Sequence, residues 1–248
     1  MNTTILEEHL RGLHLPTVRA NYQRLAQGDI EKVRYLEDLV TMEIAKREEN
    51  GNKSRISAAR FPVIKTIDTF DFSRQSKIAK TKFIGILECR FVKEKSNIVF
   101  LGPPGVGKTH LASAIGFAAC THGIRTMFTT AADLLMALIA AKREDRLKQR
   151  LLALDRFELL IIDELGYIPF EREATDLLFQ VISRRYERGS IIITTNLDFP
   201  NWTTVFPDAT AASAVVDRIV HHAAVFELDG TSHRLSARLK SGKAAITA

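Results

Sequence analysis

One short segment of this 248-residue chain has the residue types and the spacing of a phosphate-binding loop. Residues 102–109 match the pattern GxxxxGK[ST]. Backbone N–H groups in such a loop converge on phosphate oxygens, and glycines permit the close approach and the unusual dihedral angles. We expect the Lys108 ammonium to reach the β- and γ-phosphates of ATP and the Thr109 hydroxyl to bind Mg²⁺. The predicted nucleotide-binding residues are Gly102, Pro103, Pro104, Gly105, Val106, Gly107, Lys108, Thr109 and His110.

Further polar residues follow two later apolar segments. Asp163 and Glu164 come directly after the apolar residues 159–162. Asp163 is suited to the shell of a bound Mg²⁺, and Glu164 is suited to polarising an attacking water as a general base. The second of these apolar segments ends in Thr194, Thr195 and Asn196, where a polar side chain could position water against the γ-phosphate. The alternative for Asn196 is a turn-forming asparagine.

Alternating strands and helices must position these groups. The apolar segments predict strands at 97–101, 126–129, 159–162, 191–195 and 224–228, and helices at 108–120, 131–155 (with a break) and 172–188. Continuous apolar strands separated by helices predict an α/β fold with a parallel five-stranded sheet between helices. Ligands of such sheets bind beyond the carboxyl ends of the strands, where the polar motifs stand.

The N-terminal part of the chain reads as helices between residues 16 and 60. A helix beginning at Pro16 is followed by a break at residues 27–29 and by a helix that we expect to end near Asn50-Gly51. A short basic helix is predicted over 52–60, a linker over 62–74 and a helix over 76–87. The predicted division is a small, basic helical N-terminal domain at 1–62, a linker at 63–75 and the α/β domain at 76–248.

The composition, 46% hydrophobic and 26% charged, is typical of a soluble globular protein. The first residues lack the apolar core of a secretory signal, and the longest apolar run, Leu134–Ala141, is too short to span a bilayer. Cys89 and Cys120 stand alone, so reduced thiols are expected and a disulfide or metal site is the alternative. We expect a cytoplasmic protein without a membrane partner.

The formal net charge of +6 is concentrated towards the N-terminus. Residues 1–95 hold 18 lysines and arginines against 13 acidic residues, whereas residues 96–248 hold 17 against 16. A basic segment attracts nucleic acid, but it is also found as a solvated helical face. Charge alone leaves both interpretations open.

Longer segments resemble the IstB proteins, the ATP-binding helper subunits of a bacterial insertion-sequence family. GPPGVGKT alone is shared across AAA+ proteins, but its combination with the other matching segments is far more specific. The resemblance covers nearly the whole chain. The matching segments are LEDLVTMEIAKREENGNKSRISAARFP, KTIDTFDF, GPPGVGKTHLASAI, LLIIDELGYIPF, SIIITTNLDFPNW and VVDRIVHHAAVFELDG.

The resemblance implies a AAA+ P-loop NTPase of the initiator and helicase-loader type, related to DnaC. It implies a homo-oligomer that binds double-stranded DNA, largely without sequence preference, and hydrolyses ATP with Mg²⁺. It also implies a partner transposase of the same element, which the protein assists in selecting and remodelling target DNA. By resemblance, Lys108 and Thr109 are the Walker A residues, Asp163 and Glu164 the Walker B pair, and Asn196 sensor 1.

Arg218 resembles the arginine finger that completes the catalytic site of a neighbouring subunit. A guanidinium supplied in trans would stabilise charge developing on the γ-phosphate. The alternative is an Arg218 that pairs with Asp217 or a nearby helix. Arg184 and Arg185 are the next candidates for the finger, although a solvated helix end would also explain them.

The sequence departs from the family at Ser232-His233-Arg234, where the family has Ser-Tyr-Arg. Arg234 is a candidate second sensor. The chain ends at Ala248, which leaves too little length for a helical lid domain of normal size, so this role stays open.

The most basic stretch of the N-terminal part holds five candidate DNA contacts. Lysines and arginines there would bind phosphates without reading sequence. A charged helix face that packs against the next subunit is the alternative. The candidates are Lys46, Arg47, Lys53, Arg55 and Arg60.

Three functions are compatible with these motifs. The first is an oligomeric ATPase that serves transposition, and the second is a DnaC-like loader of a replicative helicase. The third is a nucleotide-gated binding module with negligible hydrolysis, against which the presence of Glu164 argues. The family match favours the first.

Overall fold

The computed structural model describes residues 3–27, 32–75, 80–167, 170–207 and 209–230. The chain divides into two compact units, Met1–Ser54 and Arg55–Ala248. Within the described ranges, no helix is long and apolar enough to cross a membrane.

The first unit is built from helices that surround a small apolar core. These helices are α1 (Thr3–Gly12), α2 (Pro16–Ala26) and α3 (Lys32–Ala59), of which α3 continues past the end of the unit. The core consists of Leu10, Val18, Tyr22 and Leu39. Helix α1 lies before the first helix that the sequence predicted.

The predicted helix end at Asn50-Gly51 is wrong, because α3 runs unbroken through both residues to Ala59. A glycine in a helix interior costs about 1 kcal/mol. Glu49 pairs with Lys53 one turn later, across the glycine, and with Lys46 one turn earlier. Such pairs, together with the good helix formers at residues 46–49, offset part of the cost of the glycine.

A buried carboxylate connects two helices of the first unit. Glu43, on α3, is 3% exposed and accepts hydrogen bonds from the backbone N–H groups of Thr17 (2.7 Å) and Val18 (3.2 Å) at the start of α2. Arg47 also donates to it at 2.9 Å. Burial opposes its ionisation, but the hydrogen bonds from Arg47 and the two amides hold the pKa of Glu43 below its ordinary 4.5.

We expect Glu43→Ala to weaken the start of α2, because two backbone amides and the Arg47 guanidinium would lose their acceptor. The cost should be about 2 kcal/mol, which would make the α2 amides exchange with deuterium roughly 30-fold faster. Because folding lowers this pKa, the protection should be complete above pH 4.5 and lost as the pH falls below that value. Glu48→Ala, at an exposed site on the same helix, is the control; equal exchange in both variants would contradict the assignment.

The second unit contains one sheet of five parallel strands in the order β2–β3–β4–β1–β5. This confirms the predicted α/β fold. The strands are β1 (Asn97–Leu101), β2 (Thr126–Thr130), β3 (Leu159–Leu165), β4 (Ser190–Thr195) and β5 (Ala223–Glu227).

Helices cover both faces of the sheet. The predicted helix over 131–155 is two helices, with a break between Arg143 and Leu147, and the helix predicted over 172–188 ends at Arg185. The beginning of the helix predicted over 76–87 lies outside the described residues. The helices are α4 (Lys80–Ile86), α5 (Arg90–Lys93), α6 (Lys108–Thr121), α7 (Ala131–Arg143), α8 (Leu147–Asp155), α9 (Arg172–Arg185) and α10 (Ala209–Val220).

The side chains of the strands alternate between two apolar cores. Ile98, Ile161 and Ile192 pack with α6 on one face, whereas Ile162 and Ile193 pack with α7 and α9 on the other. Burial on both faces explains why the strands read as continuous apolar runs.

The segment predicted as a linker packs closely against the second unit. This segment, residues 62–75 and here named the strap, contains short 3₁₀ turns at Ile67–Thr69 and Phe72–Arg74. Phe70 is buried in the core on the α6 face. The Gln75 side chain donates to the carbonyl of Val106 (3.2 Å) and accepts from the N–H of Asp229 (3.2 Å). The strap is therefore attached to the loop that follows β1.

Candidate nucleotide-binding site

The glycine-rich loop joins the carboxyl end of β1 to the amino end of α6. Gly102 has φ +144°, and a Cβ there would lie 2.3 Å from the carbonyl oxygen of Leu228. Gly107 has φ +104°, and a Cβ there would lie 2.6 Å from the ring of Phe70. Both positions therefore require glycine for backbone angle and for space. The loop leads into the positive amino end of a 14-residue helix, which is suited to binding phosphate.

Lys108 directs its ammonium back over this loop. Its Nζ donates to the carbonyl oxygens of Gly102 (2.6 Å) and Pro103 (2.8 Å). The side chain therefore already lies along the path on which phosphates would bind. Exchanging these carbonyls for phosphate oxygens would provide a stronger, charge-assisted interaction.

Thr109 and Asp163 meet at the carboxyl edge of the sheet. The Thr109 hydroxyl is 3.0 Å and 3.1 Å from the two carboxylate oxygens of Asp163, to which it donates. Asp163 is only 4% exposed. A hydroxyl and a carboxylate are hard oxygen ligands of the kind that Mg²⁺ takes, so the residues present fit the predicted metal.

A β-bulge separates the directions of the two acidic side chains. The register between β3 and β4 pairs Ile162 with Ile193 and then Leu165 with Thr195, so that Asp163 and Glu164 together oppose Thr194. Glu164 has φ +60°, in the left-handed region, and its side chain is exposed. The buried carboxylate therefore faces Thr109, while the neighbouring carboxylate lies open to solvent.

The Thr194 hydroxyl connects the two acidic residues. It accepts a hydrogen bond from the backbone N–H of Glu164 at 2.9 Å and donates to the carboxylate of Asp163. Thr194 is 1% exposed. Sequence reasoning named Thr194 only as part of the strand end, because the pairing of β4 with a bulge in β3 has no signal in the local sequence.

The strap forms the opposite wall of a cavity of about 540 Å³ beside the loop. Its lining includes Lys65 and Phe70 of the strap, Lys108 and Thr109 of α6, and Glu164 and Asn196 beyond β3 and β4. Predicted phosphate-binding and water-positioning residues thus share one cavity with Thr109, whose hydroxyl donates to Asp163. The contribution of the strap was missed from the sequence, although the alternating apolar residues of TFDF were a signal that this segment is packed.

His110 lines the cavity and attaches the strap to α6. Its Nε2 lies 2.9 Å from the carbonyl oxygen of Thr66 and 3.3 Å from the hydroxyl of Thr69. Its ring packs edge-on against Phe70, with 5.3 Å between ring centroids. A direct contact between His110 and nucleotide stays a prediction.

Arg218 lies far from this cavity, near the amino ends of the strands, whereas the cavity lies at their carboxyl ends. The backbone carbonyl of the next residue, Ile219, accepts from Asn97, the first residue of β1. The length of β1, about 15 Å, therefore separates Arg218 from the loop of its own subunit. The guanidinium packs over the Phe179 ring (4.6 Å to the centroid) and donates to the carbonyl of Ala214 (3.0 Å).

The two other arginine candidates have structural partners. Arg184 donates to Asp155, which raises the pKa of the arginine. Arg185 is 3% exposed, so a solvated helix end is wrong for this residue. Burial lowers its pKa to about 10. The Arg185 guanidinium donates to four backbone carbonyls, those of Leu154, Phe157, Glu158 and Ser190. The candidate second sensor Arg234, with His233, lies outside the described residues.

The predicted DNA contacts differ in their own partners. Lys46 and Lys53 are exposed on α3 and both pair with Glu49, whose pKa these hydrogen bonds lower to about 2. Arg47 holds Glu43 and the carbonyl of His14. In the second unit, Arg55 donates to the carbonyl of Cys120 at 2.9 Å, and Arg60 is exposed just after α3.

Cys89 and Cys120 are both buried, and neither forms a disulfide in this structure. Burial raises the pKa of Cys89 to about 12, which makes its thiol unreactive at neutral pH. Among the described residues, no group of three or more His, Cys, Asp or Glu side chains is placed to hold a metal ion.

The strand order, the glycine-rich loop and the acidic pair at the carboxyl edge define a AAA+ P-loop NTPase fold. A crystal structure of the DnaC helicase loader shares this fold, with a TM-score of 0.52 and 25% identity over 66% of this chain and 96% of that chain.

Comparison with protein families is more specific. The model of the IstB-like ATP binding proteins matches residues 8–241, and the chain belongs to this family. The protein named as the ATP-binding protein of insertion sequence IS232, from Bacillus thuringiensis subsp. berliner, is 44% identical over 84% of this chain and 83% of that protein. The corresponding protein of insertion sequence IS5376, from Geobacillus stearothermophilus, is 38% identical over 93% of each chain.

We expect Lys108→Ala to lower ATP affinity by roughly 10- to 100-fold, because a hydrogen bond to a charged phosphate is worth about 1.5–3 kcal/mol. Equilibrium binding of a fluorescent ATP analogue would measure this. Lys142→Ala is the control, because it removes an exposed lysine that pairs with Glu173 on α9. Parent-like affinity in Lys108→Ala would exclude the loop as the phosphate site.

Proposed function

We propose that this protein is an oligomeric ATPase that assembles on double-stranded DNA and assists the transposase of its insertion sequence. The observation that carries the proposal is the convergence of Lys108, the Thr109–Asp163 pair and Glu164 on one cavity. The relatives supply the biological setting, since proteins named as ATP-binding proteins of insertion sequences are up to 44% identical.

The arrangement is suited to attack of water on the γ-phosphate of ATP. Lys108 would bind the β- and γ-phosphates at the amino end of α6. Glu164, exposed in the cavity, would orient the water and accept its proton, and Asn196 would hold that water in line. Thr109 and Asp163 would hold Mg²⁺, which neutralises phosphate charge when bound.

The position of Arg218 supports assembly. A guanidinium about 15 Å from the loop of its own subunit cannot contact that subunit's γ-phosphate. Arg218 could complete a neighbour's site if the amino ends of the strands in one subunit face the carboxyl ends of the strands in the next. Hydrolysis would then require an oligomer, and DNA that gathers subunits would stimulate it.

DNA contact by the N-terminal unit is best supported at Lys46 and Lys53. Their side chains are 47% and 69% exposed and lie two turns apart on one face of α3. Glu49, between them, competes with phosphate for both ammonium groups. Arg47 is the weaker candidate, because it already holds the buried Glu43.

A helicase loader is the second candidate function, favoured by the likeness to DnaC. The identity there is 25%, whereas the two insertion-sequence relatives are 38% and 44% identical over most of this chain. The transposition setting is therefore preferred.

ATP turnover should rise steeply with protein concentration and with duplex DNA. Arg218→Ala should lower turnover by about 10³-fold with ATP affinity nearly unchanged, because an arginine finger acts on the transition state. Glu164→Gln should bind ATP but not hydrolyse it. Parent-like turnover in that variant would favour the nucleotide-gated binding module.

Mixing two inactive variants tests whether the arginine acts in trans. Lys108→Ala subunits carry an intact Arg218, and Arg218→Ala subunits carry an intact loop. A mixture should recover part of the parent turnover at interfaces that combine the two intact halves. No recovery in mixtures that co-assemble would exclude the shared site.

Removing charge at Lys46 and Lys53 should weaken DNA binding. In Lys46→Gln/Lys53→Gln, the slope of log affinity against log salt concentration should become shallower by roughly 2, or about 0.9 per lost phosphate contact. Fluorescence anisotropy with a labelled duplex would measure it, with ATP affinity unchanged. The matched control is Glu49→Gln, which frees both lysines and should tighten binding. An unchanged slope in the double variant would remove α3 from the DNA surface.

A further inference from the structure

We propose that Thr194 is a positioning residue for ATP hydrolysis, which rests on the proposed function. Its hydroxyl would keep the Asp163 carboxylate directed at the metal position and the Glu164 carboxylate directed at the attacking water. Neither the phosphate-binding motif nor the acidic pair itself includes this threonine.

The bulge creates the need for such a group. In a regular parallel sheet, each N–H of β3 that points towards β4 would donate to a carbonyl of β4. Two residues, Asp163 and Glu164, share one position opposite Thr194, so one of them lacks a ladder partner. The Glu164 N–H donates instead to the Thr194 side chain at 2.9 Å.

The alternation of side chains between the two faces of the sheet also changes at the bulge in β3. Leu160 and Ile162 face the core under α7 and α9, so regular alternation would send Leu165 to the α6 face. Leu165 instead lies in the same core as Leu160 and Ile162. The extra residue shifts the alternation by one, and the left-handed Glu164 is where the shift occurs. A left-handed glutamate is unfavourable by itself and persists only where other contacts hold it.

Thr194 can hold both acidic residues because its own position on β4 is buried and fixed by the sheet. Its register partner on β1 is Phe100, a buried residue of the α6 core, which places Thr194 on the α6 face beside Asp163. A hydroxyl offers one donor and can also accept. The Thr194 hydroxyl donates to the Asp163 carboxylate and accepts from the Glu164 N–H, and the Thr109 hydroxyl donates to the same carboxylate.

Two consequences follow for the nucleotide site. Losing the Thr194 hydroxyl would remove one of the two threonine hydroxyls that hold the Asp163 carboxylate, so the carboxylate could rotate away from the metal position. It would also leave the Glu164 N–H without its acceptor, so the backbone that aims the Glu164 carboxylate would relax. We expect loop contacts with the phosphates to change little, because Lys108 donates to the carbonyls of Gly102 and Pro103, whereas the Thr194 hydroxyl bonds Asp163 and Glu164.

The test compares Thr194→Val, which keeps the shape and removes the hydroxyl, with Thr194→Ser, which keeps the hydroxyl. We expect Thr194→Val to lower kcat by roughly 10- to 100-fold with little change in KM for ATP, because the lost bonds orient catalytic groups. Thr194→Ser should recover most of kcat. Thr126→Val is the control, since its hydroxyl is equally buried but at the amino edge of the sheet.

A binding measurement separates this inference from the proposed function. Binding of a fluorescent ATP analogue is titrated with Mg²⁺, and Thr194→Val should need several-fold more Mg²⁺ than the parent or Thr194→Ser. A parent that does not hydrolyse ATP would contradict the proposed function, and the Mg²⁺ titration would still decide the role of Thr194. A Thr194→Val variant with parent kcat and parent Mg²⁺ dependence would overturn the inference alone. Equal defects in the valine and serine variants would also overturn it, since they would indicate a packing role.

Discussion

The parallel register of β1, β3 and β4 is the constraint on which the candidate site depends. Leu101, the last residue of β1, pairs with Thr195, and β4 in turn pairs with β3 beside Asp163 and Glu164. The three polar motifs therefore lie side by side at the carboxyl ends of these strands, although they are far apart in sequence. A slip of one residue would move a motif by about 3.3 Å and reverse the face of every side chain in that strand. The apolar cores on both faces prevent such a slip.

In the β3 bulge and in the glycine-rich loop, the backbone is irregular, and hydrogen bonds to side chains replace backbone pairing. The β3 bulge leaves the N–H of Glu164, which donates to the Thr194 hydroxyl, and the glycine-rich loop leaves the carbonyl of Val106, to which Gln75 donates. Phe70 fills the space that the missing side chain of Gly107 leaves. The loop and the bulge are thus each held by a buried side chain from a neighbouring segment.

The sequence predicted the parts of the fold that depend on local pattern. The apolar runs gave five strands because both faces of the sheet are buried, and the spacing of Lys108 and Thr109 after β1 placed the loop at the sheet edge. Non-local contacts were not predictable in this way. Glu43 looks like a surface residue in the sequence, yet it caps a helix 26 residues away. Gly51 looks like a helix end, but ion pairs on both sides carry α3 through it.

The same sheet that assembles the site also leaves one predicted group outside it. Lys108, Thr109, Asp163 and Glu164 meet at the carboxyl edge, whereas Arg218 is held at the amino edge by contacts with Phe179 and Ala214. A parallel sheet cannot bring its two edges together within one subunit, since the strands between them are rigid. Under the proposed function, the arginine that joins Lys108 and Mg²⁺ in stabilising the transition state would therefore come from another copy. Under the same proposal, ATP turnover would report assembly and would be confined to places where subunits have gathered on DNA.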